Sequence, residues 1–335
     1  MSNYVLSRND RVFIAKQPTF GTAVSPTATD AVRHIRGRLK PMVSTLKRRD
    51  KTGSRSGILG KKGRQYGTWS IEASLVHGAD ADDLPDYDAL YEAAFGQAGV
   101  VSAGVSVTYS LSDVIKYFTM YQYVGDGTGT PNHQLGWGSV VRRLVFNIGA
   151  DVAEFSAEGE CAWVQGSKSF AGASTVEKAG LGAFPTEPAS MTTVGELIEG
   201  FVGSITIGGS VIADIQSATI TIDFGNEVVK NTFGTRTPTG GEGDERQVTV
   251  SFSIQNSDDA GLETLREASE SKTPLTALMT VGETPGCIYD FNLKGIQLES
   301  PDLDDGSRRM VVNFPESRAV GTGDGTKDEF SMVLR

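Results

Sequence analysis

GRQYGTWSIEASL, residues 63–75, alternates Trp69, Ile71 and Ala73 with Thr68, Ser70, Glu72 and Ser74. That period-two pattern is a strand with one buried face. DERQVTVSFSIQN (244–256) parallels it, with Arg64-Gln65 matching Arg246-Gln247. Working outward, the same alternation recurs in KYFTMYQYV (116–124), RRLVFNIG (142–149), SITIGG (204–209), SATITIDF (217–224) and MVVNFP (310–315). These runs are bounded by Gly, Asn, Asp or Pro, so the chain reads as mainly β. Helical patterning is confined to two segments. DYDALYEAAFG (86–96) puts Leu90, Ala93 and Ala94 on one face and ends at Gly96, a C-terminal capping glycine. DDAGLETLREASE (258–270) does the same with Leu262, Leu265 and Ala268, with Asp258 or Asp259 as its N-cap.

The two helices expose a duplication. Each half runs strand, long polar loop, strand, short helix, strand, strand pair. RRLVFNIGADVAEFSAEG (142–159) parallels KGIQLESPDLDDGSRRMVVNF (294–314). The offset is 182 at the Arg-Gln pair and 175 at the helix, where Leu90, Glu92 and Ala93 match Leu265, Glu267 and Ala268. The first copy therefore carries a seven-residue insertion. A length of 335 residues suits two domains of one fold. Their join falls within 166–196, rich in Gly, Ala, Ser, Thr and Pro.

Composition removes several classes. Gly numbers 40, an excess suited to a β protein with many turns. No run approaches the roughly 20 apolar residues of a membrane span, and MSNYVLSRNDRVFIAK (1–16) lacks the apolar centre of a signal peptide. Cys161 and Cys287 fall in separate strand-like segments and read as reduced core thiols. His34, His77 and His133 have no metal-ligand spacing.

The remaining motifs favour structure over chemistry. The Gly-rich runs 125–138, 239–244 and 321–326 lack the strand–Gly-x-Gly-x-x-Gly–helix context of a nucleotide site and read as turns and flexible tips. PDLDDGS (301–307) resembles a calcium-loop opening, but Gly306 sits one place early and no Glu closes it; a hairpin with Asp-Gly at its turn fits better. HGADADDLPDYD (77–88) holds five aspartates; a divalent ion is conceivable, yet acids before a helix more often complement its dipole. No nucleophile, base and orienter can be nominated, so no catalytic, cofactor or metal residue is expected.

Charge gives the sharpest signal. The net charge is −10, yet residues 33–66 hold twelve basic residues against Asp50 alone. Arg36, Arg38, Lys40, Lys47, Arg48, Arg49, Lys51, Arg55, Lys61, Lys62 and Arg64 lie there, between strands, with a Gly-rich tip. Nucleic-acid binding is one reading, but the aromatic interleaving of a stacking platform is missing. The corresponding loop 226–246 carries Lys230, Arg236 and Arg246. Electrostatic docking on the acidic body of another copy is the better reading, and such head-to-tail contact makes rings or filaments.

IAKQPTFGTAVSP (14–26), the 36–57 loop, GTWSIEASL (67–75) with YDALYEAAFG (87–96), FTMYQYVGD (118–126) and RRLVFNIGADVAEFSAEG (142–159) together resemble phage tail tube proteins. The resemblance implies two tandem tail-tube-type β-sandwich or barrel domains, each with one short flanking helix. The first would span 1–180, with an N-terminal arm (1–32) and the long basic inter-strand loop (36–64); 181–196 would link it to the second, 197–335. It also implies a virion protein rather than an enzyme. Trimeric rings with pseudo-sixfold symmetry would stack into the tail tube, both long loops contacting the next ring. Implied partners are the chain itself, a tape-measure protein in the lumen, terminator and tip proteins at the ends, and viral DNA in transit without specific binding; no membrane and no cofactor are implied. Assembly is expected in the host cytoplasm and residence in the virion tail. Two alternatives stay open: a tail-tip, distal-tail or hub protein, and a host-binding β-sandwich, hinted at only by Trp137 and His133 in the 125–138 run.

Overall fold

The computed structural model describes residues 7–47, 60–76, 78, 80–125, 132–149, 151–166, 181, 184–189, 197–212, 214–256, 260–306, 308–323 and 325–335. The first half runs β1 (Asp10–Gln17), β2 (Ala31–Val32), β3 (Arg36–Leu46), β4 (Lys61–Ser74), α1 (Asp88–Phe95), β5 (Val100–Ser102), β6 (Ser106–Ser110), β7 (Tyr117–Val124), β8 (Asn132–Ile148), β9 (Glu154–Cys161) and β10 (Trp163–Gly166). The second runs β11 (Gly203–Ile207), β12 (Ser210–Val211), β13 (Ile215–Asp223), β14 (Glu227–Val228), β15 (Gly241–Glu242), β16 (Gln247–Gln255), α2 (Ala260–Ser271), β17 (Leu275–Val281), β18 (Tyr289–Gln297), β19 (Asp302–Asp304), β20 (Val311–Ala319) and β21 (Phe330–Leu334). The protein is mainly β, with one α-helix in each half among the described residues.

One pairing order occurs twice. In the first half it is β2–β1–β7–β8–β9–β4–β3, all antiparallel. In the second it is β12–β11–β17–β18–β20–β16–β13. Even the additional strand on the N-terminal part of β8, which is β10, has its counterpart in β21 on β18.

Among the described residues two strand pairs and two isolated bridges, Val76↔Leu197 and Val152↔Glu199, join the halves. The C-terminal part of β8 pairs with β13 from Arg143↔Asp223 to Ile148↔Ala218, and β6 pairs with β21 from Val107↔Leu334 to Ser110↔Ser331. The core is continuous across the join: Phe146 meets Phe291 at 4.8 Å, and Phe95 stacks on Phe330 at 5.9 Å. Trp69 is 2% exposed, and its indole N–H is shared between the carbonyls of Val140 (3.1 Å) and Glu160 (3.2 Å), as a buried indole requires.

Several expectations change. The basic stretch 36–64 is not simply a loop: β3 and β4 pair from Arg36↔Glu72 to Leu46↔Lys61, with a bulge between Val43 and Thr45. Arg48, Arg49, Lys51 and Arg55 lie outside the described residues. The run 125–138 is not all turn either, because β8 begins at Asn132. Helix α1 is buried on nearly every side, including Asp88, Tyr91 and Phe95, so it is a core element rather than a flanking one. Gly96 closes it at φ 78°, its N–H donating to the Glu92 carbonyl at 3.0 Å. A side chain there would meet the Val114 carbonyl at 2.3 Å, so glycine is required twice over. Helix α2 buries Leu262, Leu265 and Ala268 as patterned; its proposed N-caps, Asp258 and Asp259, lie outside the described residues.

Candidate functional site

The basic hairpin and the sheet it extends form the candidate site. In β3, Leu39 pairs with Trp69 and points into the core, so Arg36, Arg38 and Lys40 project from the opposite face. That face continues across the long sheet through Thr68 and Ser70 of β4, Ser156 and Glu158 of β9, Thr219 and Thr221 of β13, and Ser251 and Ser253 of β16. These side chains alternate with buried neighbours such as Ile71, Ala157, Ile220 and Phe252. The result is a broad surface of small polar groups.

The cations on it differ in their partners. Arg36 pairs with Glu72 at 3.5 Å, while Arg38, Lys40 and Lys47 are exposed. Lys61 is exposed, and Lys62 reaches over the Trp163 ring at 5.6 Å. Arg64 donates to the Lys230 carbonyl and the Asn231 side chain.

Loop 226–246 lies against the base of the hairpin. The Arg236 carbonyl accepts from the Gln65 N–H at 2.9 Å, and β14–β15 forms a small separate sheet. Lys230 reaches Glu160 at 2.6 Å, Glu227 at 3.6 Å and the Tyr66 ring at 4.7 Å. Burial alone would lower its ammonium pKa; the hydrogen bond and charge of Glu160 outweigh that and raise it above the ordinary value. Arg246 bonds Glu329 at 2.6 Å and the Ser112 carbonyl at 3.2 Å. Lys230 and Arg246 thus form ion pairs within the chain, whereas the Arg236 side chain is exposed, as is Phe233 at 101%.

The match to known proteins falls on this architecture. Residues 7–328 match the family of phage tail tube proteins. The chain belongs to that family. No curated protein sequence matches it. It is therefore a structural protein of the phage tail, from a family built to self-assemble with other tail proteins in the virion. The family is not one of enzymes.

The other sequence candidates dissolve into structural roles. The aspartates of 77–88 take separate partners: Asp82 accepts from the Gly104 N–H at 2.9 Å, Asp86 pairs with Arg33 at 3.4 Å and Asp88 with Lys16 at 2.6 Å. Among the described residues no group of three or more His, Cys, Asp or Glu converges. Within 301–307, Asp302–Asp304 form β19, which pairs antiparallel with β20; Ser307 lies outside the described residues. Trp137 is 3% exposed, and His133 packs between Tyr123 and Phe184 at 4.6 and 5.6 Å. That burial removes the sequence hint of a host-binding aromatic pair. Cys161 is buried and Cys287 half-buried, neither in a disulfide, and burial pushes the Cys161 thiol well above its ordinary pKa.

Sequence reading missed two features of the site: the exposed strand β19, with Asp302, Leu303 and Asp304, and the bare Phe233. Both sit in segments whose Gly, Pro and polar content reads as turn.

Proposed function

We propose that this chain polymerises as stacked rings into the tube through which the phage genome leaves, and that it is a tube-body protein rather than a tip. The observation that carries the reading is the pairing order written twice in one chain. Two tube folds, 1–180 and 197–335 joined by 181–196, would give a ring of three chains pseudo-sixfold symmetry. Arg38 and Lys40 stand exposed on β3, the edge strand of the small-polar sheet face, but the face suits a lumen in that its cations Arg36 and Lys230 are paired with Glu72 and Glu160. They are thereby less available to hold the phosphates of passing duplex, spaced about 1.7 Å per charge. Lys47, Lys61 and Lys62 of the basic hairpin, the basic residues Arg48, Arg49, Lys51 and Arg55 that lie between them in sequence, and the 226–246 loop, with Phe233 and Arg236, would contact the next ring.

Negative-stain microscopy of the purified protein at rising concentration tests this. Long hollow cylinders are expected; discrete particles at every concentration would overturn the tube reading, and single rings would favour a tip protein. Reversing Lys47, Arg48 and Arg49 to Glu should block stacking while circular dichroism stays that of the folded chain. Tubes from that variant would remove the hairpin from the contact.

A further inference from the structure

The join between the two halves is a template for the join between two chains. In the sheet, Thr68–Ser74 (TWSIEAS) and Thr249–Gln255 (TVSFSIQ) correspond at an offset of 181, which sets the buried Trp69, Ile71 and Ala73 on the buried Val250, Phe252 and Ile254 and corrects by one residue the 182 read from the Arg-Gln pair; their partners carry the correspondence across the sheet. Leu39 pairs with Trp69 as Ile220 pairs with Val250, so Leu39 stands where Ile220 does. Ala73 leads through Phe155 to Phe146, and Ile254 leads through Val312 to Leu303. Leu303 therefore stands where Phe146 does.

Inside the chain, Ile220 and Phe146 lie directly opposite across the β13–β8 pair. Their counterparts have no such partner: among the described residues β3 pairs only with β4, and β19 only with β20. The Gly37 carbonyl already accepts from the Gln122 side chain at 3.1 Å, so the open stretch of β3 begins at Arg38.

We infer that the open edge of β3 pairs antiparallel with the open edge of β19 of a second copy, Leu39 opposite Leu303. The inference rests on the ring reading above and names the seam within the ring. Its register follows from the internal join. Thr219↔Asn147 becomes Arg38 opposite Asp304, and Thr221↔Val145 becomes Lys40 opposite Asp302. Both pairs would project from the small-polar face, while Leu303, 55% exposed in the single chain, would gain the cover that Phe146 has. A basic edge strand could serve only to discourage indiscriminate pairing. An acidic edge in matching register, with an exposed leucine at the matching core position, fits a specific partner instead. Opposite charges placed directly across a strand pair favour it, and like charges oppose it. The contact is head-to-tail, so it closes rings rather than dimers. Arg38 and Lys40 then belong to the seam within a ring, apart from the distal hairpin that stacks rings.

Sedimentation of the full-length chain tests the seam. Arg38→Glu/Lys40→Glu and Asp302→Lys/Asp304→Lys should each raise the concentration needed for assembly by about tenfold or more, with thermal unfolding of the monomer unchanged. Combining all four substitutions restores opposite charge and should restore assembly. Oxidation of Leu39→Cys/Leu303→Cys should give chain-to-chain cross-links. Val43→Cys/Leu303→Cys, about 13 Å out of register, should not. Undiminished assembly of either double variant, no recovery in the fourfold variant, or cross-linking only at Val43 would overturn the seam while leaving tube formation intact. A wild-type chain that never assembles would overturn both readings.

Discussion

Strands β3 and β13 hold the same place in the repeated pairing order, yet one is an edge and the other is interior. β13 is flanked by β8 and β16 and presents Thr219 and Thr221 beside Ile220, side chains with no charge to lose on burial. Among the described residues β3 is flanked by β4 alone, and it presents Arg38 and Lys40 beside Leu39. Charge at an edge strand keeps it from pairing with any strand it meets. The difference teaches that two copies of one strand can diverge in charge with their surroundings: the one paired inside the chain is neutral, and the one left at an edge is basic. A further contrast lies in the cores. Tyr87, Tyr91, Tyr109, Tyr121 and Tyr123 are buried in the first half, against Tyr289 in the second.

That second contrast gives the largest expected effect. Burial holds all six phenols protonated well above their ordinary range. For Tyr109 the neighbouring carboxylate of Asp88, 2.7 Å from its hydroxyl, adds to this. In the unfolded chain they ionise near pH 10, so above that the unfolded state binds fewer protons than the folded one and stability falls as pH rises. Each phenol contributes about 1.4 kcal/mol per pH unit. Lys16 acts in the same direction. Burial would lower its pKa, but Asp88 and Glu92 raise it, and its contribution, present below its unfolded pKa, is lost as pH climbs through the folded one. Urea unfolding should therefore give a flat stability up to about pH 9 and a loss of several kcal/mol by about pH 11. A flat profile through that range would mean that these phenols are not held as described.

The next effect compares the corresponding positions at the two seams. Phe146 is 0% exposed and Leu303 55%. Phe146→Ala should destabilise the monomer by about 3–5 kcal/mol, and Leu303→Ala by about 0.5 kcal/mol or less, both read by urea unfolding. Equal losses would mean that Leu303 already has the cover assigned to a second copy.

How much of this was legible depended on glycine and on charge. Alternation in 67–74 and 247–255 placed β4 and β16 because their buried faces carry Trp69, Ile71, Val250 and Phe252 without interruption. The start of β8 was hidden because Gly136 and Gly138 read as loop. In the sheet Gly136 instead permits close approach, since a Cβ there would lie 2.8 Å from Leu39 Cδ2. The basic window was visible as charge, but its hairpin form was not: Arg38 and Lys40 on the polar face carry no apolar period of their own. Strand β19 was invisible for a related reason. Asp302, Leu303 and Asp304 look like a turn until Val312 is seen across from Leu303.

The smallest effects on the folded chain separate what loop 226–246 does for its own body from what it offers outward. Lys230→Ala removes the 2.6 Å partner of Glu160, a residue 8% exposed. It should cost about 1 kcal/mol, since among the described residues a nearly buried carboxylate then keeps only the Val228 N–H at 3.2 Å. Arg236→Ala, with an exposed side chain, should leave urea unfolding unchanged. Phe233 sharpens the division furthest. Its ring touches nothing it needs in the monomer, being fully exposed, so Phe233→Ser should leave unfolding unchanged as well. An aromatic at a loop tip is the kind of side chain that anchors a contact when a partner covers it. Tube assembly, followed by light scattering, should then need a several-fold higher concentration of the Phe233→Ser chain. Assembly at the wild-type concentration would take this loop tip out of the ring-to-ring contact and leave that role to the basic hairpin.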